Sequence, residues 1–333
     1  MKKNKSILVV VVSLFVVLCC SICLTGCKNN SLEIYGKEIS NQKVDDGYVL
    51  YCFNDKIHSI VYGKDGKTYE IRFDTKYDIS YSHVIDDCLI LCGPGGCYQF
   101  NYVKDKVEKL KDEDINIVKK YNDELVYLEN AGYQKENYLS VIHYKDKKID
   151  IPYSVLSMEV YEDKFYLSVS DEYKKNENKF GYIVVDPESG TIENKFDNKE
   201  EGCLYNFDDN LYYATYSNLK NLNTGKIVEY ADSIKDKISI FSLYSVDPII
   251  YLSMIDAGEQ MTSLECFKVD VESETVSNFG KGYINVENKI LMVDDESNVY
   301  EMDIDGNKKF IAKYPEDSVL EKAFYLKGMN SNS

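Results

Sequence analysis

Three histidines and six cysteines beyond residue 27 are the side chains of this 333-residue chain best suited to nucleophilic, acid–base or metal chemistry. None of His58, His83 and His143 has a second histidine at a metal-ligand spacing, and no histidine pair or second close cysteine pair completes a zinc site. Cys92 and Cys97 bracket Gly93-Pro94-Gly95-Gly96, so they are placed either to bridge the base of a hairpin or to serve as small buried apolar side chains. No Gly-x-Ser-x-Gly elbow, His-Glu-x-x-His helix or phosphate-binding glycine loop is present. Carboxylates are abundant, and two of them facing each other across a cleft could cleave a glycosidic bond as acid and base. The doublets Asp45-Asp46, Asp86-Asp87 and Asp208-Asp209, however, recur at one place in a repeating unit, which makes them turn residues. Asp303-Ile304-Asp305-Gly306-Asn307 begins like a calcium loop, but the acid required at the twelfth position is Tyr314, so a solvated hairpin turn is expected. The expectation is therefore a chain with no catalytic residue, no metal and no cofactor.

The elements that would position any such groups follow from a repeat. An Asp or Asn, one further residue and three mostly apolar residues recur seven times, beginning at Asp46, Asp87, Asp123, Asp163, Asp209, Asp247 and Asn288, at spacings of 36 to 46 residues. A second signal keeps step with it: an apolar alternation running into a tight polar turn, as in Ile183-Val184-Val185 before Asp186-Pro187-Glu188-Ser189-Gly190, or Ile60-Val61-Tyr62 before Lys64-Asp65-Gly66. Each unit reads as strand, Asp turn, strand, variable loop, strand, tight turn, strand. Four short strands in about 40 residues match one propeller blade, whose two faces are buried only by neighbouring blades. Tyrosine, at 30 residues, adds to the strand bias. The expected fold is all-β, a propeller over 44–327 with seven four-stranded blades, or eight if the flanking segments 31–42 and 318–327 make a blade of their own. With seven blades, one end is expected to complete a blade begun by the other. Residues 328–333 are expected to be a disordered tail.

With their acidic turn, Tyr-rich strand and Asp-Gly hairpin, the units resemble the low-density-lipoprotein-receptor-like propeller repeats of Gram-positive lipoproteins, over about residues 44 to 315, and more loosely WD40-like repeats. The chain departs from the better-defined propeller families: without Trp it has neither the WD dipeptide nor a tryptophan-docking pattern, so the resemblance implies architecture and no cofactor.

The first 26 residues differ in kind from the rest. Lys2, Lys3 and Lys5 precede an apolar run from Ile7 to Leu24, which at about 18 residues could also span a bilayer as an uncleaved anchor. Leu24-Thr25-Gly26-Cys27 resembles the lipobox of bacterial lipoproteins. That resemblance implies cleavage of a signal peptide, 1–26, and lipidation of Cys27, with 27–43 as a tether or closing strand and the body on the extracellular face of the cell membrane. Without the three leader lysines the chain carries 36 basic and 56 acidic side chains, a formal charge of −20, which disfavours nucleic acid as a partner.

In the blade reading, the Asp turns and tight hairpin turns share one face, and the loops between second and third strands open on the other. The longest of those loops, about 129 to 137, 170 to 179 and 254 to 262, carry Tyr133, Tyr173, Met254 and Met261. Aromatic and Met side chains are common interface anchors, and variable loops on a fixed scaffold carry recognition; ordinary length variation is the competing explanation. The function expected is a non-enzymatic binding or scaffolding module for an envelope or surface protein. The alternatives are a glycan-active hydrolase using channel carboxylates, and a solute-binding lipoprotein, which should alternate helices with strands.

Overall fold

The computed structural model describes residues 33–326 apart from short segments at 55–56, 76–78, 80, 135–136, 171–179, 199, 208, 216, 230–236, 247–248, 257–263, 282, 286–288, 295, 297, 304 and 314–318. Among the described residues every regular element is a β-strand, and no helix is long and apolar enough to cross a membrane.

The strands form seven antiparallel sheets. Sheet 1 holds Tyr48–Asn54, Ile57–Lys64 and Lys67–Asp74, with Val319–Tyr325 beside the first of these and Lys37–Ile39 beside the last. Sheet 2 holds Tyr81–Ile85, Cys88–Gly93, Gly96–Asn101 and Lys106–Lys111, edged by Glu33–Tyr35. Sheet 3 runs through Ile115–Tyr121, Glu124–Gln134, Asn137–Tyr144 and Lys147–Ile151, and sheet 4 through Ser154–Tyr161, Lys164–Ser170, Phe180–Val185 and Ile192–Asn198. Sheet 5 is Gly202–Phe207, Asn210–Thr215, Asn218–Asn221 and Ile227–Glu229, and sheet 6 is Lys237–Val246, Ile249–Asp256, Leu264–Asp270 and Thr275–Lys281. Sheet 7 is Tyr283–Asn285, Ile290–Val293, Asn298–Met302 and Lys308–Lys313.

The two ends of the chain behave differently. Val319–Tyr325 supplies the first strand of sheet 1, pairing Tyr48 with Tyr325 through Phe53 with Val319, so the C-terminal segment completes a sheet begun near the N-terminus. The segment from 31 to 42 does not join it in a separate sheet. Its two short strands add a fifth member to the outer edges of sheets 1 and 2.

Alternation along each strand explains why these sheets need one another. In Tyr48–Asn54, Tyr48, Leu50 and Cys52 pack with Leu291, Val299 and Ile311 of sheet 7, whereas Val49 and Tyr51 pack with Leu89, Leu91 and Phe100 of sheet 2. Successive side chains point to opposite faces, so one continuous apolar run feeds two seams. The same division places Ile142 and Ile151 against Leu167 and Val185, and Tyr212 and Leu219 against Phe267 and Val269. Fully burying one such side chain stabilises by about 1.5–3 kcal/mol. The core is thus distributed among the seams.

Turn chemistry sets the registers. Asn122 and Asp123 both have positive φ, at 49° and 61°, as do Glu162 and Asp163, at 46° and 58°. This is the two-residue turn whose twist matches antiparallel strands and which Asn and Asp tolerate better than most residues. At the far end of the third strands a second device repeats. Asp186 Oδ1 accepts from the amides of Glu188 and Ser189 at 3.0 and 2.7 Å, and Asp270 Oδ1 from those of Glu272 and Ser273 at 3.0 and 2.9 Å. Asp303 does the same with the amides of Asp305 and Asn307, at 3.0 and 2.8 Å, which is the hairpin turn expected of that acidic segment.

Candidate functional site

Two places gather polar groups on this scaffold: the face onto which the loops between second and third strands open, and the belt of first strands.

On the loop face, sheet 3 stands apart. Its second and third strands pair with each other out to Gln134 opposite Asn137, while its first strand ends its pairing at Ile115 with Glu129 and its fourth at Ile151 with Ser140. Residues 130–134 and 137–139 therefore form a two-stranded ribbon that outruns the rest of the sheet. Tyr133 lies in that ribbon, paired with Tyr138. The expectation of a loop over 129–137 is corrected here, because most of that span is strand. The register slips between Asn130 and Gly132, where Asn130 Oδ1 accepts from the Gly132 amide at 3.1 Å and Gly132 takes a φ of 68°. Ala131 is the extra residue of a bulge, and a bulge interrupts the alternation by which a strand is read. Met254 likewise lies within a strand, between Ile240 and Glu265. Tyr173, Met261 and the lipidation candidate Cys27 lie outside the described residues.

At the base of the ribbon, His143 Nε2 lies 2.5 Å from Glu129 Oε2. Asp114 is close by: its carbonyl accepts from the Asn130 amide at 2.8 Å, and burial, then the charge of Glu129, raises its carboxyl above the usual range.

The belt arises because the first strands touch in a circuit: sheet 2 meets sheet 3, then 4, 5, 6 and 7 in turn, and the first strand of sheet 7 meets Val319–Tyr325 of sheet 1. Lys322 Nζ of that strand donates to Ser82 Oγ of sheet 2 at 3.1 Å. His83 Nε2 donates to the Asn116 carbonyl of sheet 3 at 3.4 Å, which fixes the tautomer. Lys119 of sheet 3 donates to both oxygens of Glu159 on sheet 4, at 2.8 and 2.9 Å. Ser157 Oγ of sheet 4 accepts from the Leu204 amide of sheet 5 at 2.7 Å, and Asn206 Nδ2 donates to the Val160 carbonyl at 2.7 Å.

Burial is the largest influence on the titratable groups of the belt. Burial, then Lys119 and Lys322, drives the His83 pKa down to about 3, against a partial restoring effect of the Asn116 bond. Burial raises the Glu159 carboxyl while Lys119 opposes it. Burial and Glu201 lift the Cys203 thiol to about 11, with the hydroxyls of Tyr205 and Ser157 pulling the other way. An imidazole with a pKa near 3 is a weak base at neutral pH. Glu159 meets a lysine rather than a second carboxylate, so the described belt binds neighbouring sheets together instead of assembling an acid–base pair.

The third histidine, His58, is buried and bonds Tyr51 Oη through Nδ1 at 2.8 Å and Thr75 Oγ1 through Nε2 at 2.9 Å. All three histidines are strand residues; His58 and His143 have partners in their own sheets, and His83 bonds a carbonyl of the next sheet. The belt residues were missed from sequence, although a signal exists: His83, Lys119, Glu159 and Tyr205 each stand four residues before the Asp of their unit. A polar residue at a fixed offset inside an apolar strand marks a common structural position.

No family model matches the sequence, and no curated protein matches it. Among solved structures the chain is similar to the β-propeller domain of the trilobed protease from Pyrococcus furiosus, at 12% identity and a TM-score of 0.54, over 86% of this chain and 100% of that one. It is similar to Pyrococcus horikoshii acylaminoacyl peptidase at 12% identity and a TM-score of 0.55, over 84% of this chain and 53% of that one. It is similar to the tricorn protease at 10% identity and a TM-score of 0.51, over 84% of this chain and 35% of that one. The chain thus spans about a third to a half of the length of the two peptidases. At these identities the likeness establishes the fold, a β-propeller, and nothing of activity.

Proposed function

We propose that this chain is an exported lipoprotein, held at the extracellular face of the cell membrane by lipid on Cys27, whose seven-bladed propeller binds an envelope or surface protein without catalysing a reaction. The observation that carries the binding reading is the ribbon at 130–134 and 137–139, whose main chain continues beyond the point where the sheet's other strands have ended their pairing. Seven repeat units, seven sheets and a C-terminal strand completing sheet 1 support the blade count. The run from Lys2 to Cys27 supports the export signal and anchor.

Of the alternatives, the solute-binding reading fares less well on what is described. A solute-binding lipoprotein should alternate helices with strands, and the described residues are strands throughout. A glycan-active hydrolase needs two carboxyl groups flanking a bond; in the belt Glu159 is bonded to Lys119, while at the ribbon base Asp114 and Glu129 lie close enough for the charge of one to raise the other.

Two experiments test the proposal. Metabolic labelling with an alkyne fatty acid should mark the native chain and not a Cys27→Ala variant; equal labelling of both refutes the anchor. Affinity capture from crosslinked envelopes should recover a specific protein that is lost when Tyr133, Tyr173, Met254 and Met261 are changed together to Ser. Recovery of the same proteins by both forms refutes the loop face, and capture of nothing redirects effort to screening envelope glycans for binding and cleavage.

A further inference from the structure

We propose that Cys92 and Cys97 are a disulfide site that stiffens the seam beneath the sheet 3 ribbon. The strand register sets the two residues directly opposite each other on either side of the Pro94-Gly95 turn, with their sulfurs 3.3 Å apart. Both side chains are fully buried. Directly opposed residues on adjacent antiparallel strands bring their Cβ atoms to the separation a disulfide spans, so closing the bond, at about 2.05 Å between sulfurs, needs a side-chain adjustment of about 1.3 Å and no new backbone path. Cys88, on the same strand as Cys92, instead accepts from Gln99 Nε2 at 2.8 Å.

The surroundings say what the bond would do. Cys92 and Cys97 lie in the seam between sheets 2 and 3 with Ile90, Ile115 and Val118, and Tyr127 packs against that cluster. Tyr127 belongs to the same strand as Tyr133, and its hydroxyl is pushed up to about 12, first by burial and then by the two cysteines. The sulfurs therefore sit under the strand from which the ribbon rises. Gly96, at a φ of 110°, allows the close return of the chain: a Cβ there would meet the Lys111 carbonyl at 2.6 Å.

The step balances as thiol–disulfide exchange. One thiolate attacks the sulfur of an external disulfide, protein or small molecule, giving a mixed disulfide and releasing one thiol; the second cysteine displaces the remaining thiol. Two protons and two electrons leave the cysteine pair and the oxidant is reduced to two thiols. Because the hydrogen bond with the neighbouring Cys97 thiol, and then burial, hold the Cys92 thiol above its ordinary range, exchange belongs to the folding chain rather than to the finished fold.

The test uses the full chain in two arms, each quenched in acid, labelled with N-ethylmaleimide in denaturant before and after reduction, and mapped by mass spectrometry. In the first, the protein is unfolded and refolded in a glutathione redox buffer. Peptides carrying Cys92 and Cys97 should be unlabelled before reduction and doubly labelled after it, with Cys52, Cys88 and Cys203 labelled throughout; free Cys92 and Cys97 in this arm overturn the proposal. In the second, the protein is taken as isolated from the native membrane. A linked pair supports export as well, whereas a free pair that links on refolding leaves the site standing and refutes the extracellular location. Dithiothreitol should reduce the bond roughly tenfold or more faster in urea than in the folded protein; equal rates refute its place in the seam.

Discussion

Replacing His83 by Gln should remove a measurable part of the protein's sensitivity to mild acid. Folded, the imidazole has a pKa of about 3, because it is buried and faces Lys119 and Lys322; unfolded, it returns to its ordinary 6.5. The unfolded chain therefore binds the proton first, and the stability tied to His83 is complete above pH 6.5 and lost as the pH falls towards 3. Between pH 7 and pH 5 the unfolded state gains about 2 kcal/mol from protonating this one group, while the folded state gains almost nothing, so the loss is about 2 kcal/mol. That figure depends little on the folded pKa as long as it lies below about 4. The exposed carboxylates held below their usual range by turn hydrogen bonds, Asp186, Asp270 and Asp303, lose their contribution only at lower pH, as they are protonated through those depressed values. Asp114 and Glu159, both raised, act in the opposite direction, since the folded state then takes up the proton more readily. Urea unfolding at pH 7 and pH 5 measures the effect; with no Trp in the chain, circular dichroism or tyrosine fluorescence is the probe. His83→Gln keeps a donor for the Asn116 carbonyl and cannot charge. Its loss of stability between the two pH values should be smaller than that of the unmodified protein by about 2 kcal/mol. Equal losses refute the idea that His83 is held neutral between two lysines.

Three further outcomes follow from the same contacts. Gly63→Ala places a Cβ 2.2 Å from the Asp45 carbonyl and 2.3 Å from that of Val44, backbone atoms that cannot swing aside, so it should cost about 3 kcal/mol, read as a lower urea midpoint; an unchanged midpoint refutes the close approach. Lys119→Met leaves Glu159 without its charge partner and should cost about 2 kcal/mol, much of it restored by the double change Lys119→Met and Glu159→Leu; a double variant as unstable as the single one shows that the pair is not a balanced unit. Ending the chain at residue 318 strips Val319–Tyr325 from Tyr48–Asn54 and opens the packing around Leu50 and Val49, so the body should lose resistance to limited proteolysis; an equally resistant truncated protein refutes closure by the C-terminal strand.

The architecture was legible because the repeat is written in turn residues. Asn122-Asp123 and Glu162-Asp163 adopt the positive φ that an antiparallel two-residue turn demands, and Asp86 and Asp209 take it at the same place in sheets 2 and 5. The role of the C-terminus was legible as one of two options, since Ala323-Phe324-Tyr325 reads as strand but names no partner; only register distinguishes a completing strand from part of an extra sheet. Strand limits were less legible at the loop face. The bulge at Ala131 shifts the side-chain alternation by one residue, and a strand that continues beyond a bulge reads as irregular chain.

The belt was hidden for a different reason. Lys119 sits in Ile115–Tyr121 and Glu159 in Ser154–Tyr161, strands whose neighbouring positions are mostly apolar, and each alone looks like a polar residue at a solvent-facing position. They are instead 40 residues apart and bonded across a seam, because consecutive sheets bring equivalent positions side by side. First strands have one edge unpaired within their own sheet, and an edge that meets neither water nor another strand needs partners from elsewhere. Side-chain bonds to main chain, Ser157 to the Leu204 amide and Asn206 to the Val160 carbonyl, provide them. Polar side chains on the first strands are therefore demanded by the scaffold itself. In a chain built this way, partner recognition is best sought where the units differ: at the ribbon, which only sheet 3 among the described sheets extends beyond both its flanking strands through a bulge at Ala131.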